Sequence, residues 1–190
     1  MNRKKMYQRA GKKSRSIYRF ITNANRRLSI NTTKAIMDIA VLYSVDCIVF
    51  EHLEKGGRKR GRFAERIHMW RANDVQSRVE NQAHRNGIRI SRVCAWNTSK
   101  LAFDGSDETD RKSVYRYVHG EKKYNYSLCT FPSGKQYNCD INAALNIGAR
   151  YFLRGYEKQG VTIGANAARR TLSTLWDVLN TMYNGSQQAA

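Results

Sequence analysis

The chain has 190 residues, 41% hydrophobic and 11% aromatic, and its 34 Lys and Arg against 15 Asp and Glu give a net charge of +19. The apolar share suits a folded domain with its own core and argues against a disordered basic tail, while the charge exceeds what solubility needs and points to a polyanionic partner. No apolar run is long enough to span a bilayer, the first 35 residues are too polar for a membrane-surface helix, no secretory segment is seen, and four cysteines do not make a disulfide framework in a chain of this size, so a cytoplasmic nucleic-acid binder is expected.

Residues 1–16 are basic and lack an apolar period, as an arm or the start of a helix would. Eleven Lys and Arg precede Asp38 with no acid among them. Arg3, Lys4, Lys5, Lys12, Lys13, Arg15, Arg26 and Arg27 are therefore candidate phosphate contacts. From Ser29 the pattern turns helical, with Ala35, Ile36, Ile39, Ala40 and Tyr43 as the apolar stripe. Residues 47–50 are continuously apolar and read as a strand buried on both faces, ending at Glu51. A basic loop follows, in which Lys55, Arg58, Lys59, Arg60 and Arg62 lie among Gly56, Gly57 and Gly61. A second helix is predicted over about residues 64–84, with the stripe Met69, Ala72, Val75, Val79 and Ala83 and a stop at Asn86-Gly87. Ile88, Ile90 and Val93 predict the next strand. This order of helices and strands predicts an α/β layer.

Residues 95–137 read as a β-rich insert, with hairpin tips at His119-Gly120-Glu121 and Pro132-Ser133-Gly134. Tyr115, Tyr117, Tyr124 and Tyr126 alternate as strand residues do. Such rings can stack on nucleic-acid bases, but packing is their commoner use and is the expectation here. Trp96 and Trp176 are expected in the core. A third helix begins near Asp140, with Ile141, Ala144, Leu145, Gly148 and Phe152 on one side, and a last one covers about residues 172–183. The expected organisation is a basic arm and first α/β part over 1–94, the insert over 95–137, a second α/β part over 138–158, and a helix and tail over 159–190. On local pattern alone, Glu51 is a solvated strand end and Asp140 an N-cap.

Two segments add to this reading. Ile48-Val49-Phe50-Glu51-His52-Leu53 resembles the second RuvC motif of the transposon-encoded TnpB (OrfB) nucleases. Asp140-Ile141-Asn142-Ala143-Ala144-Leu145-Asn146-Ile147 resembles their third motif at every defined position. Thr98-Ser99 resembles the lead-in to the zinc ribbon of that family, and the likeness covers about residues 15–155. It implies an RNase H-like (RuvC) α/β fold, kinship with type V CRISPR effectors, guide RNA and DNA as partners, and RNA-guided cutting of DNA. Three carboxylates hold divalent metal in such sites, of which Glu51 and Asp140 match two. Carboxylates suit that chemistry, because Mg²⁺ takes oxygen ligands and paired cations stabilise the attacking and leaving oxygens of phosphodiester hydrolysis.

The chain departs from the family pattern in two ways. No Asp-x-Gly strand precedes the helix that leads to Glu51, so a partial fold without its first strands is expected. Mg²⁺ would then bind at Glu51 and Asp140 only if another chain, such as a separately encoded N-terminal fragment, completed the site. The paired cysteines of a zinc ribbon are also missing. Cys47, Cys94, Cys129 and Cys139 read as small apolar fillers, zinc is not expected, and Phe103, Tyr115, Tyr117, Tyr126 and Phe131 are expected to hold the insert together. The expected function is that of a nucleic-acid-binding C-terminal portion of a TnpB-like endonuclease, inactive alone. The alternative is a non-cutting RNA- or DNA-binding module derived from it.

Overall fold

A computed structural model describes residues 3–52, 72–111, 115–125 and 127–188. Among these the chain is mixed α/β: α1 (Arg3–Leu42), β1 (Cys47–His52), α2 (Ala72–Arg85), β2 (Arg89–Cys94), β3 (Tyr115–Val118), β4 (Glu121–Tyr124), β5 (Leu128–Thr130), β6 (Gln136–Asn138), α3 (Cys139–Lys158), a 3-10 turn (Ala167–Arg169) and α4 (Leu172–Gln188). The strands pair as β1–β2, β3–β4 and β5–β6, each a two-stranded sheet. No described helix is long and apolar enough to cross a membrane. The described residues fall into two compact units. One holds α1, Cys47–Ile48, α2 and the chain to Ile90, and the other holds Val49–His52 and the chain from Ser91 onward.

In the first unit the basic N-terminal stretch is helical from Arg3. Lys, Arg, Gln, Met and Ala dominate it, and these are good helix formers even without an apolar stripe. α1 packs on α2 through Ser29, Thr33, Met37 and Ala40. The predicted stripe is thus corrected: Ala40 is buried and Ile36 half-buried, but Ala35, Ile39 and Tyr43 are exposed. The physical reason lies in the hydroxyls. The Ser29 hydroxyl donates to the Asn25 carbonyl at 3.1 Å and Thr33 to the Ser29 carbonyl at 2.8 Å. Both side chains are satisfied within their own helix, so they can be buried at the contact without an unpaired polar atom. Ile17, Ile21, Leu28, Ile39 and Leu42 stay exposed elsewhere on α1.

α2 buries Val79 and Ala83 as predicted, while Met69 lies outside the described residues. It ends at Gly87, whose φ of +70° is open to glycine at no steric cost. The Ile88 N–H then returns to the Ala83 carbonyl at 2.9 Å. β1 is half-buried along Cys47–Glu51 rather than sealed on both faces, which fits a strand in a two-stranded sheet better than one inside a wide parallel layer.

In the second unit β5 and β6 meet in antiparallel register, Cys129 opposite Tyr137, with Pro132-Ser133-Gly134 at the predicted tip. Ala102, Cys129, Phe131 and Cys139 form a buried cluster under Phe103 and Tyr137. Phe103 meets Phe131 and Tyr137 edge-on, at centroid distances of 5.3 and 5.0 Å. Burial, then the hydrogen bond to Cys139, pushes the Cys129 thiol up to about 11, so it stays protonated as an apolar filler. Tyr115 and Tyr117 take no part in this cluster, contrary to expectation, and Tyr126 lies outside the described residues.

A further cluster joins α3 to α4 through Ala149, Leu153 and Leu175, with Leu172, Val178 and Leu179 packed against it. Trp176 lies just beyond that arc of α4 and is 57% exposed, while Trp96 sits in the turn after β2 and is 69% exposed. Neither is a core residue as predicted. Asp104-Gly105 forms a turn packed on the start of α4. A Cβ at Gly105 would come within 2.9 Å of the Ser173 side chain, and its φ is +81°, so only glycine fits.

Candidate carboxylate site and nucleic-acid interface

The start of α3 is fixed by Asn138, whose side-chain oxygen accepts from the N–H groups of Asp140 at 2.8 Å and Ile141 at 3.2 Å. Asn138 is therefore the N-cap. Asp140 is not, and its exposed carboxylate lies in the first turn, where the helix dipole favours negative charge. Glu51 lies near the C-terminal end of β1, half-buried, and its carboxylate accepts from the Thr98 hydroxyl.

Thr98 belongs to a segment held by a polar ladder along α3. Asn142, Asn146, Arg150 and Arg154 recur every fourth residue and so share one helix face. The Asn142 amide donates to the Leu101 carbonyl at 2.9 Å and its oxygen accepts from the Phe103 N–H at 2.9 Å. Asn146 donates to the carbonyls of Thr98 at 3.0 Å and Leu101 at 2.9 Å, and accepts from the Leu172 N–H at 3.2 Å. The Arg150 guanidinium donates to the carbonyls of Cys94 and Trp96, both at 2.7 Å, of Ala168 at 3.0 Å and of Arg170 at 3.1 Å. Arg154 reaches the Arg92 carbonyl at 2.8 Å and the Ser91 hydroxyl at 2.6 Å. Burial lowers the pKa of Arg150, yet a guanidinium keeps its proton at any physiological pH.

This ladder corrects the predicted face of α3. Ile141 and Phe152 are 59% and 54% exposed, and the buried positions are Cys139, Asn142, Asn146, Ala149, Arg150 and Leu153. The sequence reading assigned no role to Arg150 or Arg154. Their spacing from the two asparagines is the signal that would have found them. Through Thr98 and Asn146, the strand end that carries Glu51 and the helix that starts at Asp140 hold the same short segment. Among the described residues no group of three or more His, Cys, Asp or Glu could hold a metal ion.

The basic candidates divide three ways. Arg15, Arg26 and Arg27 are exposed on α1, and Arg19 and Lys34 are exposed beside them. Arg3, Lys4, Lys5, Lys12 and Lys13 belong to the first turns of the same helix. Lys55, Arg58, Lys59, Arg60 and Arg62 lie outside the described residues. From Arg15 to Lys34 the helix runs about 28 Å at ~1.5 Å per residue, and its one acid is Asp38.

No family model and no curated protein matches the chain. Among solved structures it is similar to one described as the cryo-EM structure of the Cas12f1–sgRNA–target DNA complex, at 24% identity and a TM-score of 0.42. That similarity covers 76% of this chain and 40% of the other, so the chain spans about two-fifths of the length of that neighbour.

Proposed function

We propose that the chain binds nucleic acid through the cations of α1. The observation that carries this reading is the exposed series Arg15, Arg19, Arg26, Arg27 and Lys34 on a helix whose single acid is Asp38. Five such cations would neutralise four or five phosphates. The logarithm of the affinity for duplex DNA should then fall with the logarithm of salt at a slope of roughly −4, a loss of two to three orders of magnitude between about 50 and 200 mM. Changing Arg26 and Arg27 together to Glu should weaken binding at least tenfold and flatten the slope by about 2. Filter binding across a salt series measures both, and a slope near zero in the parent chain would sink the reading.

The finer reading is that of a C-terminal portion of a TnpB-like, RuvC-type DNA endonuclease with a partial RNase H-like fold, working with DNA and a guide RNA. It is supported by the eight-residue motif at Asp140, by the position of that Asp in a first helical turn, and by Glu51 near the end of a strand. Mg²⁺ would enter at Glu51 and Asp140 only where a third carboxylate completes the site. The chain alone is therefore expected to bind without cutting. Incubation of labelled DNA with the chain and Mg²⁺ should leave the DNA intact. Cleavage lost on Glu51→Gln or Asp140→Asn would overturn that expectation.

A further inference from the structure

The apolar side chains left exposed on α1 fall largely on one line. Ile17, Ile21, Leu28, Ile39 and Leu42 are 36% to 74% exposed, and Ala24 and Ala35 are exposed between them. With Asn31 in the middle, this series advances in steps of three or four residues throughout. At about 100° per residue it stays within an arc of about 80°. Ser29, Thr33, Met37 and Ala40, which meet α2, lie on a different arc. The seam runs about 38 Å from Ile17 to Leu42, at ~1.5 Å per residue. Single exposed apolar residues are ordinary, whereas a contiguous stripe of this length marks an interaction surface.

We propose that this seam is the docking face for an acidic amphipathic helix of another protein. Its width selects a helix. The arc is narrower than the ~100° stripe that a helix turns to a core or a lipid surface, and steps of three and four are those of a coiled-coil seam. A polar residue such as Asn31 within a seam of this kind fixes register. Charge selects the partner. Arg27 and Lys34 are exposed along one border of the seam, and the other border carries the uncharged Asn25 and Thr32. A second copy of the chain, itself at +19, would set cation against cation with the helices antiparallel. With the helices parallel it would set cation against amide or hydroxyl. Asp or Glu along a partner's border meets Arg27 and Lys34 in either direction. Arg15, Arg19 and Arg26 lie on the opposite side of α1 from the seam, so they can hold phosphates while it is occupied. Only Arg27 and Lys34 would serve one ligand or the other.

The test uses the full chain and fluorescence polarisation with a labelled synthetic peptide of about four heptads, Leu at its a and d positions and Glu at e and g. A scrambled peptide of the same composition keeps the charge without the stripe, and a third carries Lys in place of Glu. The acidic peptide should bind saturably, and the other two should bind at least about tenfold more weakly. Leu28→Gln combined with Ile39→Gln should weaken the acidic peptide about tenfold and change duplex-DNA binding less than about twofold. Leu28→Met combined with Ile39→Met, which keeps the seam apolar, should bind as the parent does. Circular dichroism checks that these exposed substitutions leave the helix intact. A scrambled peptide that binds as well as the acidic one, or a Gln pair that loses nothing, would reduce the effect to general attraction of opposite charges and overturn the proposal. A dimer in sedimentation that the Gln pair dissolves would give the seam to a second copy instead. Binding to vesicles of phosphatidylcholine and phosphatidylserine, lost in the same variant, would give it to a lipid surface and equally overturn the proposal.

Discussion

Replacing Arg150 with alanine is expected to cost about 4 kcal/mol of the stability of the second unit. Arg150 is 4% exposed, and its guanidinium satisfies four carbonyls from two separate stretches of chain, Cys94 and Trp96 on one and Ala168 and Arg170 on the other. A hydrogen bond to a charged donor contributes ~1.5–3 kcal/mol, and each buried carbonyl left without a partner costs ~1–3 kcal/mol. The sum is not additive and water entering the gap offsets part of it, which is why about 4 kcal/mol rather than the full total is expected. Native proteins have only ~5–15 kcal/mol to lose. Arg150→Lys should recover little, because an ammonium is a point charge and cannot serve four carbonyls on two sides. Urea unfolding followed by tryptophan fluorescence measures the effect. A midpoint equal to that of the parent would show that the carbonyls do not depend on Arg150.

Asn146 is expected to be nearly as sensitive, with a dependence on pH that separates chemistry from size. Asn146→Ala removes partners from the Thr98 and Leu101 carbonyls and the Leu172 N–H, at about 3 kcal/mol. Asn146→Asp keeps the volume but turns an oxygen toward two carbonyls at a site with 0% exposure. Burial and the facing carbonyls both favour the protonated acid, so the new carboxyl should have a folded-state pKa above its unfolded value of ~3.9. Below that unfolded value the acid is neutral in both states and can still donate one hydrogen bond. The penalty accumulates as pH rises through the folded-state pKa and is complete above it. The Asp variant should thus be less stable than the Ala variant at neutral pH and regain stability in mild acid. If the two variants track each other at all pH values, the amide donors are not what holds the segment.

The sequence made some of this legible and hid the rest for a definable reason. Punctuation was readable: Gly87 ends α2, His119-Gly120 and Pro132-Ser133-Gly134 turn the hairpins, and the Asp140 motif opens a helix. These signals are local, since a glycine or a turn acts on its own neighbours. Faces were less readable. α3 buries Asn142, Asn146 and Arg150 and exposes Ile141 and Phe152, because the polar groups find partners 18 to 56 residues away. No hydropathy period can register such partners. α1 misled for a local reason, through Ser29 and Thr33, whose hydroxyls are satisfied four residues back and so can be buried. The tyrosines of β3 and β4 pack on one another and on Lys122 within their hairpin and still stay exposed, which alternation alone does not tell. Glu51 and Asp140 were singled out through their motifs alone, whereas Thr98, which binds Glu51, was noticed only as a lead-in to the insert.

The ladder on α3 also distributes sequence freedom unequally. Nearly every group it grips is a main-chain carbonyl or N–H, between Ser91 and Phe103 and between Ala168 and Leu172. A carbonyl is present whatever side chain its residue bears, so the gripped segments can drift in composition and remain held. The helix has no such latitude, since only an amide or a guanidinium at positions 142, 146 and 150 makes these bonds. Exchanging side chains in the gripped segments should therefore cost less than exchanging Asn142, Asn146 or Arg150 on the helix that grips them.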